Sequence, residues 1–288
     1  MSKNPRLGIW LMVAAVASFA AQDGFSRYLA SEYNTLMVVM VRYWLFAAFV
    51  IALALRRPEG VRRATSSRHM GVHVARSLLL VGEICVIVWG YTLIGLIESH
   101  AVFAICPLLI AAFSGLILGE RILWQRWVAI GAGMVGVVVI LRPGMGVFTP
   151  AALLPLASAV MFALYSILTR LTTRDEDTFP SFFWPGVIGA VFMTVVGLPS
   201  WQSVAPADAP LLAVYAAISI FSHWLLLKCY EQIEASRVQP YAYLQIVFVT
   251  LIGLTVYDEV LAPMVALGAL IIIAAGLYAL SLERTRKA

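Results

Sequence analysis

The sequence predicts an all-α membrane protein of ten transmembrane helices, built as two inverted repeats of five helices each. Three observations predict it. Of 288 residues, 62% are hydrophobic and only 12% are charged, where soluble domains carry about 25% charged residues. The apolar residues fall into ten blocks, most of them long enough to cross a hydrocarbon core of about 30 Å as a helix. Two stretches, Ile97–Arg121 and Ile233–Val260, repeat one design: each opens with Ile-Glu, runs through an apolar segment and closes on an acidic residue. Helices are the default spanning element, because lipid offers backbone N–H and C=O groups no partner. The alternating period of a barrel strand is absent.

In chain order the predicted helices are 7–26, 34–55, 71–94, 98–118, 124–141, 150–170, 179–198, 209–230, 235–256 and 263–282. The first has the basic flank and the Ser18-Phe19-Ala20 tripeptide of a signal peptide, but its echo in the sixth argues for a retained helix. Basic residues set the orientation. With the N-terminus inside, Lys3, Arg6, the Arg56–Arg68 cluster, Arg121, Arg126, Arg170, Arg174, Lys228, Arg237 and the C-terminal Arg284, Arg286 and Lys287 all fall on the inner side. Only Arg27 and Arg142 fall outside, and Arg42 and Arg76 lie within helices. Both termini are therefore expected in the cytoplasm, with the protein in the inner (cytoplasmic) membrane. Tyrosine and tryptophan residues near helix ends, such as Trp10, Trp124, Tyr33 and Trp201, agree. The net charge of +5 is thus a topology signal and not a nucleic-acid footprint. The basic loop after the second helix is a solvated anchor that meets lipid head groups.

Long-period self-similarity organises the rest. Ala14–Arg27 aligns with Ala157–Arg170, Ile97-Glu98 with Ile233-Glu234, and Glu120 with Glu259, in one order and at nearly one offset. Five helices per unit is an odd number, so the second copy enters the membrane from the opposite face. Residues 1–142 and 143–288 are the expected units. Inverted repeats of this kind belong to secondary transporters, which alternate access around a site at the repeat interface.

Several short motifs occur in order across nearly the whole chain. They are Pro107 with Gly119-Glu120-Arg121, Tyr243-Leu244-Gln245 with Asp258-Glu259, Gly131, Gly133 and Gly136 in the fifth helix, and Arg42-Tyr43 in the second. On them the chain resembles the drug/metabolite transporter superfamily in its ten-helix form with two EamA-type repeats. The resemblance implies a central cavity framed by the third, fourth, eighth and ninth helices, with the fifth and tenth at the rim. It also implies a small-molecule substrate: amino acids, other metabolites, nucleotide-linked sugars or drugs. Two departures make the halves unequal, since Ile246 stands opposite Pro107 and Pro185 opposite Arg42.

Intramembrane charge costs about 2.5–3.5 kcal/mol on insertion scales and marks functional candidates. Arg42, Glu83, Tyr165, His223, Tyr243 and Gln245 are the candidate substrate-binding residues. Arg42 either receives a carboxylate, whose geometry a guanidinium matches, or forms a structural salt bridge with Asp23 or Glu83. Glu83 either meets a substrate ammonium or carries a proton. Pro107 and Pro240 remove backbone donors and are candidate hinge or cavity positions. Gly131, Gly133, Gly136, Gly268 and Gly276 are read as close-packing positions, and Glu120 and Glu259 as residues that fix helix starts.

No HExxH, GxSxG, P-loop or paired-histidine motif occurs. Catalytic residues, a metal site and a cofactor are therefore not expected, and the chain is not read as an enzyme. Cys85, Cys106 and Cys229 are spaced like packing residues. Few fixed charges in an aromatic and aliphatic interior favour small zwitterions, so export of neutral or aromatic amino acids by alternating access is the leading expectation. A multidrug or cationic-compound exporter, or a nucleotide-sugar carrier, is the alternative. The expected partners are the lipid bilayer and a small molecule, with no nucleic acid, and either a monomer or a homodimer fits.

Overall fold

A computed structural model describes residues 4–58, 60–119, 123–142, 149–172, 178–232 and 240–287. Eleven helices of eight or more residues run through them. They are α1 (Pro5–Glu32), α2 (Thr35–Leu55), α3 (Met70–Ile94), α4 (Leu96–Phe103), α5 (Cys106–Leu118), α6 (Trp124–Leu141), α7 (Leu153–Thr172), α8 (Thr178–Gly197), α9 (Ala209–Gln232), α10 (Leu244–Val256) and α11 (Pro263–Lys287). Helices α4 and α5 form one broken span. Nine described spans are long and apolar enough to cross a membrane, and Pro240–Val256 is a shorter tenth. Glu120, Arg121, Arg174, Arg237 and the Ile233-Glu234 echo lie outside the described residues.

Local chemistry fixes the boundaries. The Asn4 side chain caps α1 through the amide of Leu7 at 3.2 Å, and Asn34 caps α2 through that of Met37 at 2.8 Å, satisfying donors that the first turn leaves free. Pro5, Pro150 and Pro263 stand at helix starts, where a missing N–H costs nothing. Gly95, at φ +88°, divides α3 from α4, and Gly119, at φ +67°, ends α5. Large apolar side chains such as Leu55, Leu93, Leu116, Val195 and Leu270 are exposed, as a lipid-facing surface requires.

The contacts between the two halves come in twofold mates. Helix α1 packs on α9 as α7 packs on α3, and α1 packs on α10 as α7 packs on α5. The α2–α8 and α6–α11 contacts are their own mates. At the α6–α11 crossing a Cβ on Gly136 would lie 2.8 Å from the Gly268 carbonyl, and one on Gly268 would lie 2.6 Å from that of Gly136. Only glycine at both positions lets the backbones approach so closely.

The interrupted spans are also mates. The first breaks at Ala104-Ile105, where Ile105 N–H reaches Val102 O at 3.2 Å and Leu108 N–H reaches Ile105 O at 2.9 Å. The second breaks at Tyr243, where Ile246 N–H reaches Tyr243 O at 3.1 Å. Tight three-residue turns thus interrupt both copies at corresponding places, although only the first has a proline there. Pro107 sits at the start of α5, and Pro240 lies three residues before the second break. The two prolines therefore occupy unequal positions about two equal breaks.

Candidate functional site

A cavity of about 380 Å³ lies at the interface of the two repeats, within the range of about 300–1,000 Å³ typical of small-molecule sites. Its walls come from α1 (Phe19, Gln22, Asp23), α2 (Arg42, Tyr43, Phe46), α3 (Glu83, Tyr91 and four aliphatic residues), α4 (His100, Phe103), α7 (Phe162, Tyr165), α8 (Phe182), α9 (Ser219, His223, Leu226) and α10 (Gln245). Helices α5, α6 and α11 contribute no lining residue. The frame is thus wider than the four helices implied by the resemblance, because α1, α2, α7 and α8 also face the cavity.

Five of the six candidate binding residues line this cavity: Arg42, Glu83, Tyr165, His223 and Gln245. Tyr243 does not. Its ring is buried against Gly276 of α11, since residues two apart stand about 200° apart around a helical turn and 243 faces away from 245. Pro107 and Pro240 are also absent from the walls.

Arg42 has Tyr215, Tyr43 and Asp23 in its electrostatic neighbourhood. Among the described residues it forms no ion pair with Asp23 or Glu83, which have other partners. The buried Glu83 accepts a hydrogen bond from Ser158 of α7 at 2.8 Å. Asp23 lies 3.1 Å from His100 Nε2 and accepts from the Gln245 amide at 3.1 Å. The cavity therefore presents a guanidinium that pairs with no carboxylate among the described residues, together with two acidic groups held by polar neighbours. The Tyr43 hydroxyl and the Gln22 carbonyl oxygen, on residues of the same wall, are buried with no hydrogen-bond partner, an arrangement that native structures seldom leave unexplained.

Aromatic rings make up much of the remaining wall. Phe46 meets Phe182 edge to face at 5.2 Å, and Phe103 meets Phe162 at 5.9 Å. His223 is wedged between Phe19 and Phe46, and its Nδ1 lies 2.8 Å from Ser219 O. Tyr165 accepts from Arg76 at 3.2 Å. The fully buried Arg76 also donates to Ser181 O at 2.5 Å, and so fixes the Tyr165 ring from behind the wall.

His100 and Tyr91 line the cavity in addition to the candidates that the sequence offers. His100 sits two residues after Glu98, where it reads as a helix end near the interface. It nevertheless lines the cavity, just ahead of the interrupted apolar run. The three cysteines are buried and free, and among the described residues no cluster of three metal-ligating side chains occurs.

Glu259, after α10, holds a helix start of the other repeat. Its carboxylate accepts from the amides of Leu96 at 2.7 Å and Ile97 at 2.9 Å and pairs with Arg27. Arg27 also lies over the Tyr257 ring at 4.1 Å. This clasp joins the two repeats at the end of the bundle that the charge distribution assigns to the outside.

The model of the EamA-like transporter family matches residues 6–142 and 149–281, one match for each repeat. The chain belongs to the EamA-like transporter family. It is a transporter of small metabolites and a multi-pass membrane protein, not an enzyme. It is 27% identical over 275 residues to the S-adenosylmethionine uptake transporter of Rickettsia prowazekii, covering 96% of this chain and 92% of that protein. It is 27% identical over 269 residues to the riboflavin transporter of Vibrio cholerae, covering 92% of this chain and 89% of that one. A solved crystal structure with 20% identity superimposes over 98% of each chain at a TM-score of 0.63, which shows the shared fold.

Proposed function

We propose that this chain carries a metabolite with an amino-acid end and a flat heteroaromatic end, and that S-adenosylmethionine is the substrate to test first. The observation that carries this reading is Arg42, a cavity-lining guanidinium with no carboxylate partner among the described residues, set in an aromatic wall that also holds Glu83. Arg42 receives the substrate carboxylate in bidentate fashion. Glu83 receives the ammonium, and the sulfonium centre lies over aromatic faces, which attract cations. The adenine ring fits among Phe46, Phe103, Phe162 and Phe182, where offset or edge-to-face contacts contribute about 0.5–1.5 kcal/mol beyond area burial.

This reading keeps the amino-acid end of the substrate class expected from the sequence and enlarges its ring. A free aromatic amino acid satisfies Arg42 and Glu83 but leaves much of a 380 Å³ cavity unfilled. Riboflavin suits the rings but brings no carboxylate for Arg42. The relatives named for S-adenosylmethionine uptake favour inward movement over export. The carrier works by alternating access between repeats 1–142 and 143–288, in the inner membrane with both termini inside.

Uptake of radiolabelled S-adenosylmethionine into proteoliposomes tests this directly, with unlabelled methionine, phenylalanine and riboflavin as competitors. Saturable uptake that Arg42→Gln abolishes is the expected result. Flux of riboflavin or phenylalanine without any of S-adenosylmethionine would refute the proposal.

A further inference from the structure

We propose that Asp23 and His100 form a proton-binding site that couples transport to a proton gradient; the coupling, though not the site, rests on the transporter reading above. The argument is a count of donors. His100 Nδ1 lies 3.2 Å from the Leu96 carbonyl oxygen, which can only accept, so Nδ1 carries a hydrogen. His100 Nε2 lies 3.1 Å from Asp23 Oδ2. A hydrogen bond there needs a second proton, on Nε2 or on the carboxyl, since a neutral imidazole carries one N–H. The pair as arranged therefore holds one proton between α1 and α4 and is neutral overall.

Release of that proton breaks the Nε2–H (or Oδ2–H) bond and passes the proton to water in the cavity. The electron pair stays behind, and the net charge of the pair falls to −1. An Nε2 lone pair then faces a carboxylate oxygen, and the α1–α4 link is lost. The second repeat senses the change through Gln245. Its amide nitrogen is 3.1 Å from Asp23 Oδ2 and 3.5 Å from His100 Nε2, so the unprotonated Nε2 becomes an alternative acceptor for it. The proton and α10 thus compete for one nitrogen across the repeat interface.

The surroundings suit a group that changes charge. Asp23 is faced by Arg42 from α2, Glu83 and Tyr91 from α3, Tyr215 from α9 and Gln245 from α10. His100 is stacked on Tyr91 at 5.2 Å with 13° between the ring planes, and the Tyr91 hydroxyl is 3.5 Å from Nε2. From α6, α7 and α11, which also pack on α4, no titratable described residue bonds to His100. Both Asp23 and His100 line the cavity, which gives the proton a route to solvent, and histidine is the side chain that ordinarily changes charge near neutrality.

Two measurements test this, and the first needs no substrate. Histidine-selective ¹⁵N NMR of the full chain in nanodiscs reports the ring protonation of its four histidines, and His100→Gln assigns the relevant signal. The expected result is a change of the His100 ring between doubly and singly protonated forms over the pH range in which the protein stays folded, lost or displaced in Asp23→Asn. One unchanged protonation form across that range in the wild type, or an identical transition in Asp23→Asn, would overturn the site.

The second is S-adenosylmethionine transport into proteoliposomes with the membrane potential clamped, with and without a pH gradient of one unit. One coupled proton sustains up to about a tenfold difference in accumulation. The readout is the ratio of the two conditions, which falls to one in Asp23→Asn and His100→Gln. A wild-type ratio of one, or variants that keep the wild-type ratio, would overturn coupling through this pair. If no S-adenosylmethionine enters under either condition, the substrate proposal fails and the NMR titration alone decides the proton site.

Discussion

Replacing Glu259 by glutamine keeps the shape of the clasp and removes its charge, and the geometry sets the expected cost. The carboxylate accepts two backbone amides, at 2.7 and 2.9 Å, and pairs with Arg27. Glutamine offers one acceptor oxygen, so one amide loses its partner, at about 1–3 kcal/mol. The other bond becomes neutral and weakens by about 1 kcal/mol. Arg27 is 19% exposed and keeps the Tyr257 ring, so losing its anion adds up to about 1 kcal/mol in a partly solvated setting. The clasped state should therefore lose about 3 kcal/mol relative to any state with the clasp open, close to a hundredfold shift in population. Thiol labelling reads this shift. A cysteine placed at Ser219 in the cavity wall, with Cys85, Cys106 and Cys229 replaced by alanine, meets an impermeant reagent only when the cavity opens outward. Glu259→Gln should raise its labelling rate from the outside by at least about tenfold. An unchanged rate, with normal accumulation of the variant, would refute the view that this contact holds the outer end closed.

Other outcomes follow from the packing and the polar contacts. Gly136→Leu or Gly268→Leu should lower the thermal unfolding midpoint in detergent and reduce accumulation, since overpacking costs about 1–3 kcal/mol or more and the opposing backbone cannot yield. Tyr243→Phe should leave transport unchanged and stability within about 1 kcal/mol or slightly improved, because its buried hydroxyl has no partner and an unsatisfied group is costly; loss of substrate affinity would restore Tyr243 to the site. Arg76→Met should weaken substrate affinity through a mobile Tyr165, with Tyr165→Phe giving a milder version of the same defect in a competition assay. Ser158→Ala should raise KM by less than about tenfold, since one hydrogen bond to a charged acceptor contributes about 1.5–3 kcal/mol and water replaces part of it.

The helices were legible because length and hydropathy decide them. Predicted 34–55, 71–94, 124–141 and 263–282 correspond to Thr35–Leu55, Met70–Ile94, Trp124–Leu141 and Pro263–Lys287. Intramembrane charge singles out Arg42 and Glu83 in the sequence, and both line the cavity, for charge survives in a membrane only where it faces a cavity or a partner. The breaks were less legible. Pro107 drew attention to the first, yet the second occurs at Tyr243 without a proline at the matching position, so tertiary packing rather than a missing donor accounts for their common place. Near such a turn the helical period decides which side chain faces the cavity, and residues two apart face nearly opposite sides. Gln245 thus lines the wall and Tyr243 does not, while His100 carries no intramembrane-charge signal in the sequence that would mark it.

The two halves share their scaffold but divide the chemistry unequally. The helix contacts between them are paired by the twofold relation, whereas the lining carboxylates and guanidinium, Asp23, Arg42 and Glu83, all come from the first repeat, together with His100. The second supplies Phe162, Tyr165, Phe182, Ser219, His223, Leu226 and Gln245. Each acid in the wall is nevertheless held from across the interface, Glu83 by Ser158 and Asp23 by Gln245. In the proposed alternating-access cycle, the fixed charges stay together on one body and the second repeat's donors travel with the other. A substrate whose charged groups engage Arg42 and Glu83 then remains seated on the first repeat throughout the cycle. Its ring and the cross-interface hydrogen bonds register the motion, so affinity should follow the first repeat's charges and rate the second repeat's donors.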